Sequence, residues 1–129
     1  MKAHSSPKAP KAVGPYSQAM RTGNLLFCSG QTPINPATMR IEETTVAQQT
    51  KTAIENLRIV LDAAGLNLQS IVKTNVYLAD MELFQEMNAA YSECFGDHRP
   101  ARTTVAVKGL PLNALVEIEC VAEFIEENH

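Results

Sequence analysis

Two residues of opposite charge stand out for the chemistry they could do together. Arg102 lies in "RPARTTVAV" (99–107), just past the helix-breaking Pro100, at the head of a run that otherwise reads as a β-strand. Its guanidinium is a flat, permanently charged fork suited to gripping a carboxylate. Glu117 lies in "LVEIECVAEF" (115–124), where the apolar row Val116, Ile118, Cys120, Ala122, Phe124 alternates with Leu115, Glu117, Glu119, Val121, Glu123. A carboxylate on such a face can orient a water and take its proton. Alternation groups Arg102, Thr104 and Ala106 against Thr103, Val105 and Val107. With Val105 and Val107 assigned to the core, Arg102 and Thr104 share the opposite face with Glu117. A hairpin between 102–108 and 115–124 would then make cation and carboxylate neighbours. The same spacing also fits a plain cross-strand ion pair, worth about 0–1 kcal/mol on a surface. Tyr16 at a strand head, Ser29-Gly30 at a strand end and Asn88 beside a helical stripe are further polar positions, each of which fits simple packing when taken alone.

The elements that must position these groups are legible in the same pattern. Residues 1–15, rich in Pro, Lys, Ser and Ala, read as an extended lead-in. "YSQAMR" and "LLFCSG" read as strands around a Thr22-Gly23-Asn24 turn, followed by a loop with Pro33 and Pro36 and a short strand at 39–41. A helix is predicted over 46–64. Val46, Thr50, Ala53, Ile54, Leu57, Val60 and Leu61 form one stripe, with Thr45 and Gln48 as a capping pattern, Glu42 and Glu43 near its positive end, and Gly65 as the stop. A strand follows at 71–78, with Val72, Val76 and Leu78 on one side. Asp80 then caps a second helix carrying Phe84, Met87, Tyr91 and Phe95 and ended by Gly96. The order ββ(β)αβαββ is that of an α+β domain of about six strands, whose two helices can cover one face only. The other face, mixing Leu115, Val121, Ile71 and Tyr77 with Lys73, Asn75 and the glutamates, points to burial against other subunits.

Composition narrows the classes. One domain is expected from 129 residues, and 45% hydrophobic with 19% charged residues is the balance of a globular chain. A net charge of −3 argues against binding nucleic acid through phosphates, although the first 41 residues hold five Lys or Arg and no acid. Cys28, Cys94 and Cys120 are odd in number and widely spaced, so no disulfide framework is implied. His4, His98 and His129 match no metal-ligand spacing, and no metal is expected. No apolar run approaches the roughly 20 residues of a membrane span. Nothing compels export, and a cytoplasmic location is expected.

The segments "GPYSQA" (14–19), "SGQTPINPATM" (29–39), "AAGLNLQSIVKTNVYLAD" (63–80), "FQEMNAAYSECF" (84–95), "RPARTTVAV" and "VEIECVA" (116–122) together resemble the RidA (YjgF-type) family, in order, from about Ala12 to Phe124. The resemblance implies a chorismate-mutase-like fold and a homotrimer with substrate clefts at subunit interfaces. It also implies hydrolysis of reactive 2-imino acids (2-iminobutanoate and 2-iminopropanoate, in equilibrium with enamines) to 2-oxo acids and ammonia, without a cofactor. It implies that Arg102 binds the substrate carboxylate and Glu117 positions the attacking water. Thr104 contributes main-chain groups, while Tyr16, Ser29, Gly30 and Asn88 shape the pocket. Thr104 stands where the family commonly has cysteine, and Ala106 where it often has glutamate, which bears on substrate range. Other readings are a non-catalytic binder of small 2-oxo acids, an RNA-directed ribonuclease or translation inhibitor, and a chaperone-like interaction protein.

Overall fold

A computed structural model describes residues 1–125; positions 126–129, His129 among them, lie outside the described residues. The main sheet has six strands: β1 (Lys2–His4), β2 (Ala19–Thr22), β3 (Leu25–Gln31), β6 (Ile71–Leu78), β7 (Ala101–Ala106) and β8 (Val116–Glu123). A separate two-stranded ribbon pairs β4 (Ile34–Asn35) with β5 (Arg40–Ile41). Helices α1 (Val46–Ala63) and α2 (Phe84–Phe95) lie on one face of the main sheet, the α+β arrangement the pattern predicts.

The spatial order is β1-β2-β3-β8-β6-β7. The last strand, β8, therefore sits at the centre, antiparallel to both β3 and β6. Its Val116, Ile118, Cys120 and Ala122 are buried under the helices, as the alternation predicts. Both helices bury the expected stripes: Ala53, Ile54, Leu57, Val60 and Leu61 on α1, and Met87, Tyr91 and Phe95 on α2. Thr45 Oγ1 accepts from the Gln48 amide at 3.2 Å. At the far end Leu66 N and Gly65 N donate to Leu61 O and Asp62 O, with Gly65 at φ 80°, the reciprocal pair of a Schellman stop. Glu86 of α2 also serves the α1 N-terminus, its Oε2 accepting from Ala47 N at 3.1 Å.

Several expectations are corrected. The lead-in contains a strand, β1, paired with β2. The buried Gln18 side chain holds the loop behind it, accepting from Ser6 N and donating to Ser6 O and Pro10 O. Asp80 caps a 3-10 turn at Met81–Leu83, and α2 begins after it. Ile71 is buried and Val72 is 41% exposed, because a bulge between Ile71 and Lys73 shifts the register of β6 against β8.

The consequential correction concerns β7. It pairs with β6, in parallel, and makes no hairpin with β8. The chain leaves β6, crosses the sheet through α2 and returns at the outer edge, so β7 runs in the direction of β6. The register sets Arg102 beside Thr74 and Thr104 beside Val76, on the helix side, while Val105 sits beside Tyr77 on the open side. Val105 is 42% exposed and not part of the core that the alternation predicts for it. No helix among the described residues is long and apolar enough to cross a membrane.

The β6 bulge is tested by truncating neighbouring side chains. Ile71→Ala is expected to cost about 2–5 kcal/mol and Val72→Ala less than about 1 kcal/mol in denaturant unfolding, the reverse of what unbroken alternation would give.

Candidate active site

Arg102 sits on the helix side of an edge strand, which keeps it near the core without sealing it in. Its guanidinium carbon lies 4.8 Å from the Tyr91 ring centroid and 5.7 Å from that of Phe84, within cation–π range. Tyr91 is itself fixed: its hydroxyl shares a 2.8 Å hydrogen bond with Thr74 Oγ1, and its ring stacks on Phe95 at 4.5 Å. Burial raises the Tyr91 pKa above that of a free phenol, with Thr74 and the Arg102 charge acting against it. Asn88, Tyr91, Ser92, Arg99, Pro100 and Arg102 line one cleft of about 340 Å³. Asn88 and Arg102, distant in sequence, are thereby brought together. Thr104 follows two residues later with the same orientation, and its buried Oγ1 has no hydrogen-bond partner among the described residues.

Glu117 belongs to the other side of the sheet. It pairs across β6 with Tyr77, and its carboxylate lies against Gly30 on β3. A Cβ at position 30 would stand 2.6 Å from Glu117 Oε2, so the glycine is what lets the carboxylate lie flat on the strand. Gly30 and Ser29 occupy a bulge between Cys28 and Gln31, where the β3–β8 register shifts. The Ser29 hydroxyl donates to Ser17 O at 2.6 Å, tying the strand end to the segment that carries Tyr16. Tyr16, Ser17, Phe27, Ser29, Asn75 and Glu119 border a neighbouring open cavity of about 490 Å³.

The two glutamates of β8 differ in their surroundings. Glu119 Oε1 accepts from the Tyr77 hydroxyl and, at 3.4 Å, from Asn75 Nδ2. That hydrogen bond to Glu119, then burial and the glutamate charges, push the Tyr77 phenol up to about 12. Glu117 accepts no hydrogen bond and makes no ion pair among the described residues. Burial first, and the Glu119 charge second, raise its pKa above the ordinary glutamate range. A half-buried carboxylate with raised basicity and no internal partner suits proton transfer.

Within one protomer Arg102 and Glu117 do not form a common site. They lie on opposite faces, two strands apart and three residues out of step, or about 10 Å across and about 10 Å along the sheet. The expected shared face is thus overturned. Two groupings stand instead: Arg102, Asn88 and Thr104 at the β7 edge, and Glu117, Gly30, Ser29 and Tyr16 on the open face. Arg99, which opens the same stretch as Arg102, and Ser92 are cleft residues that the sequence pattern does not single out. The signal available for Arg99 was a second arginine three residues from the first.

Comparison with known proteins gives consistent matches along most of the chain. A family model described as Endoribonuclease L-PSP matches residues 6–124. A RutC family protein of Pyrococcus abyssi is 48% identical over 115 residues, covering 89% of this chain and 91% of that protein. An Arabidopsis thaliana protein named Reactive Intermediate Deaminase A, chloroplastic, is 43% identical over 118 residues, covering 92% of this chain and 63% of its own length. Among solved structures, Escherichia coli TdcF with bound serine superposes with a TM-score of 0.90 at 35% identity, covering 95% of this chain and 98% of that one.

Gly30→Ala is expected to leave the fold intact, because the clashing group is the free end of a side chain. The Glu117 carboxylate is expected to swing toward solvent and its titration midpoint to fall toward that of an ordinary glutamate. Side-chain carboxyl NMR across a pH series measures both.

Proposed function

Because this chain belongs to the RidA (YjgF-type) family, we propose that it hydrolyses reactive 2-imino acids, such as 2-iminobutanoate and 2-iminopropanoate, to 2-oxo acids and ammonia. The reading is carried by one observation: an arginine fork that, among the described residues, has no ion-pair partner, is steadied by two aromatic rings and lies in a cleft lined by no carboxylate. The deaminase name of the Arabidopsis relative, and the bound serine of the TdcF structure, support it.

The chemistry asks little of the protein. A protonated imine is already electrophilic at C2. Arg102 holds the substrate carboxylate in a fixed pose, which contributes through orientation. Glu117 takes a proton from the attacking water, whose oxygen bonds to C2 while the C=N electrons move to nitrogen. Returning that proton to nitrogen lets the C–N bond break while the hydroxyl gives its own proton to Glu117 and its electrons close the C2=O bond, so ammonia departs and the 2-oxo acid remains. Main-chain groups of Thr104, on the exposed edge strand, orient the water or the imine nitrogen. The unpartnered Thr104 hydroxyl is a further group a bound ligand can satisfy.

Since the two groupings lie on opposite faces of one sheet, the working site joins Arg102, Asn88 and Thr104 of one copy to Glu117, Gly30, Ser29 and Tyr16 of another. A homotrimer supplies three such junctions. The open face supports this: Phe27 is 46% and Val105 42% exposed, beside the half-buried Tyr77 and Val121.

Arg102→Ala is expected to lower ammonia release from 2-iminobutanoate, generated by a threonine dehydratase, by about a hundredfold or more without changing the oligomer measured by light scattering. Unchanged release would refute the role. Co-refolding Arg102→Ala with Glu117→Gln should restore activity that neither variant has, because mixed junctions regain both groups. Glu117 must be ionised to act as base, so kcat/KM should fall with decreasing pH through a midpoint above the ordinary glutamate range.

A further inference from the structure

The deaminase reading, on which this inference rests, gives the Arg102 fork one carboxylate to hold. Its cleft carries more positive charge than that task needs. Among the described residues of one copy, Arg99 and Arg102 both line it, with Asn88 and Ser92 as neutral donors and no acidic side chain, on a protein of net charge −3. Neither guanidinium forms an ion pair among the described residues. Arg99 Nη1 donates to the main-chain oxygens of Gly96 and His98, which fixes the arm against the end of α2. Its Nε and Nη2 groups make no hydrogen bond among the described residues and remain available.

Two like charges held at one opening repel each other, and an anion between them relieves that repulsion. Their Cα atoms are at most about 10 Å apart, a limit set by three residues of extended chain. Two arginine arms reaching into the same opening can therefore span a short molecule with a negative group at each end. Arg102 takes the carboxylate next to the imine; what remains for Arg99 is the far end of the substrate.

We propose that Arg99 is a specificity-determining residue that binds a second anionic group, so that 2-imino acids with a side chain ending in a carboxylate are preferred over those with an alkyl side chain. The geometry behind this is a cleft with two guanidinium groups, Arg102 held by aromatic rings and Arg99 by main-chain oxygens, neither in an ion pair among the described residues.

The test uses the purified full-length protein and imines made in situ by amino-acid oxidases from aspartate, glutamate, alanine and 2-aminobutyrate. Wild-type kcat/KM is expected to favour the two dicarboxylic imines. Arg99→Gln should lower the dicarboxylic-to-monocarboxylic ratio about tenfold or more, and Arg99→Lys should lower it less, since charge is kept and the fork is lost. A wild-type preference for the alkyl imines, or a ratio unmoved by Arg99→Gln, would overturn the assignment. Calorimetric titration of the wild-type protein with 2-oxoglutarate and with 2-oxobutanoate needs neither turnover nor a variant. Tighter binding of the dicarboxylate supports the proposal, and equal or weaker binding removes it. If no imine of either class is hydrolysed, the deaminase reading fails while the calorimetry still decides the role of this cleft.

Discussion

The parallel pairing of β6 with β7 governs where every chemical group of β7 ends up. Because the connection runs through α2, the returning strand must lie parallel to β6, and its register fixes Arg102 beside Thr74. A slip of one residue would exchange the two faces, carrying Val105 beneath the helices and the guanidinium to the open side. β7 is the edge strand of the sheet. Arg102 can rest on the rings of Tyr91 and Phe84 there and keep its fork free, a position that a central strand would not allow.

Glutamates on the opposite face are sorted by a similar constraint. β8 is locked in the middle of the sheet by its buried row, so Glu117 and Glu119 must both point outward, close to each other. Tyr77 and Asn75 engage one of them and leave the other without an internal partner. Burial, and after it the charge of the engaged carboxylate, makes that neighbour harder to ionise. Gly30 completes the arrangement by leaving room above β3. Two identical side chains thus acquire different chemistry from position alone.

Much of this was readable in the residues. The stripe and both ends of α1, and the buried row of β8, follow from periodicity and capping, because each is decided within a few neighbouring positions. The face of Arg102 was not readable. Alternation states which β7 residues agree with one another, and choosing the face requires knowing what covers each side. Val105 and Val107 look like core, yet Val105 lies on the open side. The bulges at Val72 and at Ser29-Gly30 are likewise invisible, since an extra residue in one strand has meaning only against its partner. β1 was hidden by lysine and proline around a strand of three residues, whose support comes from pairing with β2 and from a loop that Gln18 holds behind it. Residue types pointed toward Arg102 and Glu117; how they relate in space depended on strand order.

Phe27 and Val105 leave the open side of the sheet partly greasy, and among the described residues the outer edge of β7 has no strand paired to it. For a newly made polypeptide leaving the ribosome, those features invite any passing strand or sticky surface. Clumping through those features competes with productive folding, and expression level, crowding and chaperone supply become determinants of how much usable protein a cell obtains from each message.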